Sequence, residues 1–415
     1  MAMAFALVLG VLLVLGMPPQ LANARTTMRE DEFGNLHINI TAGAGAQGSS
    51  NEVAEGGPAL VVNGINLKEL TRDLQQTQAT VAALEAQACV LRNKITADET
   101  LLTGLGTAVR RWRGAVVAPN GLIYGIPRDE TCVLVIDPFT NTADATSLCG
   151  FSDMIGKWSN GALAPNGIIY AFPAQHDSIL KVDPSTNETD TTTLALSGIP
   201  AGSGKWHDGE LAQNGLIYAC PFGATSVLVI DPASDSFDAT SMGGFSDTPG
   251  KWSGATLVPD GRIICTPYSA STILIIDPTT HTTDTTTIPA LSGNTNWRGS
   301  LLANGKVFAI PRDADAVLIV DPLTNTTDTN SIRGLNRNNQ WGDAVLAPNG
   351  KIFCMPMLSN YALIIDPVTK AVDKTTLNGF SSANGKFNGA VVADNGLIYG
   401  IPHIVDHALI IDPGC

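Results

Sequence analysis

The sequence predicts an all-β protein: a seven-bladed β-propeller of four-stranded blades, closed by an N-terminal strand and preceded by a short α-helical coiled coil. Three observations predict it. The stretch "WRGAVVAPNGLIYGIP" (residues 112–127) reads as strand, tight turn, strand, and close variants recur down to "FNGAVVADNGLIYGIP" at the C-terminal end. Its opening aromatics, Trp112, Trp158, Trp206, Trp252, Trp297, Trp341 and Phe387, are 44 to 48 residues apart, the period of propeller blades. The ends are complementary. The seventh unit stops at "ALIIDPGC" without an outer strand, and "TADETLLTGLG" (96–106) matches "ETDTTTLALSG" (188–198), with Asp98 over Asp190 and Leu102 over Leu194. A strand from the front of the chain can therefore complete the last blade and remove the open junction.

Within each unit the aromatic opens an apolar run, Pro-Asn-Gly or a relative makes the turn, and "LIYGIP" is the second strand. After a variable loop, "VLVIDP" is the third strand, and "TNTADATSL" supplies a turn and a short outer strand. "VLVIDPFTNTADATSL" and "LAPNGIIYAFP" resemble the YVTN/NHL type of propeller repeat, in which an "IDP.TN" turn alternates with an "SPDG..YV" hairpin. The resemblance covers residues 96–415. It implies the fold, and it implies no particular activity, because that group holds lactonase-like and lyase-like enzymes beside many surface proteins. No catalytic motif carries over onto residues of this chain.

Ahead of the propeller, "MAFALVLGVLLVLG" followed by "MPPQLANA" reads as a signal peptide over residues 1–24, cleaved after Ala24. The apolar run is too short to span a bilayer, so the mature chain is expected to have no membrane span. Residues 25–66 are rich in Gly, Ala and Ser and read as a flexible or loosely β arm, with "ALVV" a candidate strand. Residues 67–95 lack Gly and Pro, and Leu67, Leu70, Leu74, Thr77, Val81, Leu84, Ala88, Leu91 and Ile95 alternate steps of three and four. That is a heptad seam, which predicts self-association as a dimer or trimer; a single amphipathic helix lying on the next domain is the alternative. Residues 96–415 are the propeller.

The formal net charge of −14 argues against nucleic acid or an anionic membrane as partner. Secretion gives meaning to the sequons at Asn39, Asn187 and Asn325 as glycosylation sites. Seven cysteines show no Cys-x-x-Cys spacing, so no zinc site is expected, and the odd count leaves a thiol free or bridged between chains.

Repeat columns separate scaffold from chemistry. The opening aromatic is expected to pack between blades. The "IDP" aspartates (Asp137, Asp183, Asp231, Asp277, Asp321, Asp366, Asp412) suit Asx turns, with repeated calcium sites as the sharper alternative. Gly125, Ala171, Ala219, Cys265, Ala309, Cys354 and Gly400 form a small-residue column in which Cys265 and Cys354 stand in for alanine. Glu210 is the one charge in a column otherwise reading Val116, Ala162, Thr256, Leu301, Val345, Val391, where a buried carboxylate is costly unless paired or neutralised. With His207, Asp208, Arg113, Arg298 and Asp343 it forms a candidate ligand pocket at the channel mouth; an internal salt bridge plugging the channel is the plainer alternative. A metal site on His207, Asp208 and Glu210 is disfavoured, because side chains alternate along a strand. No Gly-x-Ser-x-Gly elbow, His-Glu-x-x-His helix or P-loop is present.

The expectation is a secreted or cell-surface, non-catalytic protein that displays propellers on a stalk for adhesion, matrix or carbohydrate binding. The alternative is a lactonase- or lyase-like enzyme acting at the channel mouth through Glu210 and His207.

Overall fold

A computed structural model describes residues 94–415, apart from 107–109, 197–203, 293–295, 336–339, 382, 384 and 415. Ahead of these it describes the backbone of four short strands and residues 76, 77 and 80. The chain divides into two compact units, Met1–Leu91 and Arg92–Cys415.

In the second unit, seven antiparallel four-stranded sheets follow one another around a ring. Blade 1 is Trp112–Val117, Ile123–Pro127, Leu134–Asp137 and Thr142–Asp144. Blades 2 to 6 repeat it, with innermost strands Trp158–Leu163, Trp206–Leu211, Trp252–Leu257, Trp297–Ala303 and Trp341–Leu346. Blade 7 takes three strands from the C-terminal end, Phe387–Val392, Ile398–Pro402 and Leu409–Asp412, and its outer strand from Thr96–Asp98. Asp98 pairs with Ile410, Ala97 with Ile411 and Thr96 with Asp412.

The equivalence of this closing strand with its counterpart in blade 2 extends to individual bonds. Asp98 Oδ1 accepts from Thr100 N (2.6 Å) and Thr100 Oγ1 (2.8 Å), and Asp190 Oδ1 accepts from Thr192 N (2.7 Å) and Oγ1 (2.8 Å). Leu102 and Leu194 are both buried. The Leu102 carbonyl accepts from Ala408 N, as the Leu194 carbonyl does from Ile179 N.

The core among the described residues is seven apolar clusters, one at each junction between consecutive blades. Each opening aromatic sits in one: Trp206 packs with Ala162, Tyr170 and Phe172 of blade 2 and with Ile217 and Leu228 of its own blade. Its indole N–H donates to the Ser226 carbonyl (2.8 Å), and Trp112, Trp158, Trp252 and Trp297 make the same bond to Cys132, Ser178, Thr272 and Ala316. The aromatic column thus packs between blades as expected.

A second girdle was not evident in the sequence. The turn asparagine clasps the next blade: Asn120, Asn166, Asn214, Asn349 and Asn395 donate Nδ2 to the carbonyls of Pro184, Pro232, Pro278, Pro413 and Pro138. In blade 4, where the turn reads Pro-Asp-Gly, Arg262 Nη2 reaches Pro322 instead (2.6 Å). Asn395 closes the ring, and it also donates to Tyr399 Oη (3.1 Å) and accepts from Leu397 N (3.0 Å). Asn395→Ala is expected to lose roughly 1–3 kcal/mol, read from the midpoint shift in urea denaturation.

The "IDP" aspartates make Asx turns, as in Asp137 Oδ1 accepting from Phe139 N (2.8 Å) and Asp412 Oδ1 from Gly414 N (3.0 Å). The small-residue column needs one correction. Cys354 is a free, buried thiol in an alanine position, but Cys265 forms a disulfide with Cys220 of blade 3, Cα–Cα 5.9 Å. Cys220 lies on the neighbouring second strand, and close blade packing brings the two within bridging range. Cys132 and Cys149 form a second disulfide within blade 1, at the bridge that Ser178 and Ala195 make in blade 2.

In the arm, the candidate strand "ALVV" contains the observed strand Leu60–Val62, and it has three companions. Arg25–Glu30, Leu36–Thr41, Leu60–Val62 and Ile65–Asn66 form a four-stranded sheet, the middle pair parallel. The alternation of Leu36, Ile38 and Ile40 with His37, Asn39 and Thr41 is a strand pattern that the surrounding glycines had masked. Residues 1–24, Cys89, Cys415 and most of the heptad segment lie outside the described residues. Within that segment residues 76, 77 and 80 are helical, and Ile95, the last seam position, packs on the core between blades 6 and 7. No described helix is long and apolar enough to cross a membrane.

Candidate functional site at the channel mouth

The channel is lined by the seven innermost strands, and each begins with a register shift just after its aromatic. A bulge there breaks the alternation of side chains. It lets both residues that follow the aromatic face the channel, so His207 and Asp208, adjacent in sequence, line one cavity. The alternation argument made from sequence therefore fails at this point of the strand. Among the described residues no three His, Cys, Asp or Glu side chains come together as a metal site.

The second residue after each aromatic reads Gly114, Asn160, Asp208, Gly254, Gly299, Asp343, Gly389. Its polar members form a partition across the channel. Asn160 Nδ2 donates to Asp208 Oδ1 (2.6 Å), and Asp208 also accepts from Gly209 N (3.0 Å) and, on Oδ2, from Ala255 N of blade 4 (3.1 Å). Asp343 Oδ1 accepts from Ala344 N (2.8 Å), and its carboxylate also receives the Ala390 N–H of blade 7. The intervening glycines make room. A Cβ on Gly114 (φ 73°) would fall 2.5 Å from Asn160 Oδ1, and one on Gly299 (φ 68°) would fall 2.6 Å from Asp343 Oδ1.

The partition separates two spaces. On one side is a lumen of about 340 Å³, lined by Val116, Ala162, Leu163, Ser300, Val391 and Glu210. On the other is a small cavity of about 20 Å³ at the mouth, bordered by Arg113, His207, Ser253, Arg298 and Asn388. Asn160, Asp208 and Asp343 touch both. The six candidate residues thus do converge on the channel axis, but Glu210 lines the lumen while His207, Arg113 and Arg298 line the mouth.

Burial dominates the electrostatics. It pushes the Glu210 carboxyl up to about 8, with the nearby Asp208 charge adding to it and a bond from Leu257 N opposing it. Asp208 is raised to about 7 by burial and then by Asp343, and Asp343 to about 6 by burial against its backbone bonds and the two arginines. His207 is held well below its ordinary value by burial and by Arg113, Arg298 and Arg128, so it is neutral. Its ring stacks on Phe222 (3.6 Å between centroids), Phe222 meets Tyr268 edge-on (5.1 Å), and Arg312 lies over Tyr268 (4.9 Å). His403, lowered to about 3 by burial, engages the Trp112 carbonyl through Nδ1 (3.0 Å).

The repeat columns also hide a ring of buried cations just before the aromatics. Lys157, Lys205, Lys251 and Lys386 are buried. They donate to the carbonyls of Met154, Gln175, Ser246 and Ala383; before blades 2, 4 and 7 this ties down the loop leading into the blade, and Lys205 reaches back to the loop after the second strand of blade 2. The signal was present as a repeated "GKW" or "GKF". Phe222 and Tyr268 carried no signal at all, because the loops they stand in vary from blade to blade.

Fold and lining together define a seven-bladed β-propeller with a polar mouth above a partitioned central channel. No protein-family model matches the chain, and no curated protein does. Solved structures do. Virginiamycin B lyase from Staphylococcus aureus, in its catalytically inactive H270A form with quinupristin, is similar at 11% identity with a TM-score of 0.60, over 77% of this chain and 99% of that one. The extracellular domain of BT4673 from B. thetaiotaomicron, described as a hybrid two component system, is similar at 11% identity and TM-score 0.56, over 76% of this chain and 39% of that one. Kuenenia stuttgartiensis hydrazine synthase follows at 13% identity and TM-score 0.52, over 74% of this chain and 97% of that one. At these identities the likeness is one of fold. The two disulfides are consistent with an oxidising, extracellular location.

Proposed function

We propose that this is a secreted, non-catalytic binding protein that presents the mouth face of its propeller to extracellular carbohydrate, with a self-associating helical stalk supplying several copies. The observation that carries this reading is the composition of the mouth: His207, Phe222 and Tyr268 form a contiguous run of rings beside the donors Arg113, Arg298 and Ser253. Flat rings next to convergent N–H and O–H donors are the chemistry that holds a sugar. The acid–base groups are otherwise engaged: Asp208 and Asp343 on backbone N–H groups, His403 on a carbonyl. Glu210 and His207, the pair the lyase-like alternative needs, line different cavities.

In this reading the stalk raises avidity without adding contacts, and sugar chains on Asn39, Asn187 and Asn325 mark the secreted state. Asn187 is exposed on its turn, whereas Asn325 Oδ1 accepts from Arg262 Nη1 (3.3 Å). The test is binding of residues 25–415 to a broad panel of neutral and acidic polysaccharides, beside the same chain lacking 67–91, with light scattering on both. Selective binding that weakens more than tenfold without the helix is the expected result. A folded oligomer that binds no glycan on the panel would overturn it.

A further inference from the structure

We infer that the mouth holds a carboxylate group, received by the guanidinium groups of Arg113 and Arg298 and the side-chain amide of Asn388. The carboxylate comes either from an acidic sugar, which rests on the carbohydrate reading above, or from a free small carboxylate.

Arg113 is buried and Arg298 half-buried, and neither makes an ion pair with a carboxylate. Arg113 is 8% exposed, and it reaches across the channel from blade 1 to 3.3 Å from His207 Nδ1 and 3.5 Å from Ser253 Oγ. The hydrogen bond Arg298 makes is to the thioether of Met357 (3.8 Å). A guanidinium carries five N–H donors in a planar fork, and these contacts leave most of them unused. Burying such a charge is costly unless it is paired, and here Asp208 and Asp343 offset it only through space.

The nearest carboxylates do not take up the slack. Asp208 accepts from Asn160, Gly209 and Ala255, and Asp343 accepts from Ala344 and Ala390; neither makes an ion pair with Arg113 or Arg298. Asn388 is 2% exposed and borders the same cavity, and its Nδ2 has no hydrogen-bond partner. One buried donor without a partner, Asn388 Nδ2, and two guanidinium groups that make no ion pair therefore border one small space, with His207 neutral beside them. Donors without acceptors select an anion, and the planar forks favour a carboxylate, which they can grip with parallel N–H···O bonds. A cavity of about 20 Å³ has the room of about one water, so it takes one oxygen of the carboxylate, and the rest of the group and any sugar ring stay outside it.

The experiment is titration calorimetry and thermal unfolding on residues 25–415 with three probes: sodium acetate, a galacturonic acid oligosaccharide, and the neutral galactose oligosaccharide of the same linkage. Each is run on wild type and on Arg298→Met. Methionine keeps an apolar stem of similar length beside Met357, and removing a half-buried charge that makes no ion pair should leave the thermal midpoint unchanged or higher. Expected is binding of the acidic oligosaccharide that falls on the order of tenfold to a hundredfold in Arg298→Met, while any affinity for the neutral one is unaltered. Acetate that binds in an Arg298-dependent way with no oligosaccharide binding would assign the site to free carboxylates, upholding this inference while the carbohydrate reading fails. Equal affinity for acidic and neutral oligosaccharides, indifferent to Arg298, would overturn the inference and leave the carbohydrate reading standing. No response to any probe would overturn it as well. Should Arg298→Met fold poorly, Asn388→Leu, which removes the third donor, supplies the same comparison.

Discussion

Glu210→Gln is expected to unfold at a higher temperature than wild type at pH 8.5, and at nearly the same temperature at pH 4. The folded-state carboxyl of Glu210 is raised to about 8 from 4.5, so the native chain holds a proton that the unfolded chain releases. Stability from this group is complete below about pH 4.5 and is lost as pH rises through 8. Glutamine keeps the shape and hydrogen-bonding capacity of the protonated acid and has no proton to lose. The advantage of the variant therefore grows between pH 4.5 and 8 and levels off above. The partial exposure of Glu210 and its coupling to Asp208 reduce the full linkage value, leaving about 2 kcal/mol, or about 4 °C in a unit of this size. Calorimetric scans at four pH values check this; an advantage of equal size at every pH would show that Glu210 is ionised and well solvated in the native chain.

Leu102→Asp is expected to open the ring. Leu102 is 3% exposed at the junction of blades 7 and 1, packed with Trp112, Tyr399 and Ala408. Removing a buried leucine side chain typically costs about 2–5 kcal/mol, and the uncompensated carboxylate adds to that. The strand Thr96–Asp98 depends on this anchor to stay on the edge Leu409–Asp412. Once it lifts, the edge is free to pair with another chain. A fall of more than 10 °C in the unfolding midpoint together with concentration-dependent light scattering is the expected pair of readings. A variant that keeps the wild-type midpoint would show that blade 7 stands without its fourth strand.

The propeller was legible because its signals repeat: an aromatic, an Asn-Gly turn and an Asp-Pro turn each recur, and Asp98 and Leu102 match Asp190 and Leu194 to single bonds. The Asx turns likewise follow from aspartate chemistry that acts within three residues. Asn187 and Asn325 illustrate the limit. They occupy a left-handed turn position (φ 56° and 53°) shared with Asn141, Asp235, His281 and Lys370, so two of the three sequons arise where turn geometry already favours asparagine.

The candidate site was legible residue by residue and illegible as a site. The polar outliers at Arg113, His207, Asp208, Arg298 and Asp343 stood out against their columns. Their division into lumen and mouth depends on a bulge that shifts the facing of side chains by one, and no pattern in a single strand announces that shift. The Cys220–Cys265 bridge was hidden for a related reason: it joins residues 45 positions apart in sequence that become neighbours only when two blades pack. Phe222 and Tyr268 had no repeat to stand out from.

Ring closure also fixes the order in which this protein can be finished. Asp98 pairs with Ile410, so the first strand of the propeller to leave the ribosome is the last to find its partner. Blades 1 to 6 can assemble as their hairpins are completed, since each draws all four strands from a short run of chain. Blade 7 waits for nearly the whole polypeptide, and until then both its edge and the front segment stay unpaired. A pairing this distant in sequence is slow to form, and the intermediate that waits for it exposes a bare strand edge. A chain interrupted before residue 409 therefore yields an unclosed fan of blades with no lesser ring to fall back on, and cellular quality control has a plain signature to recognise.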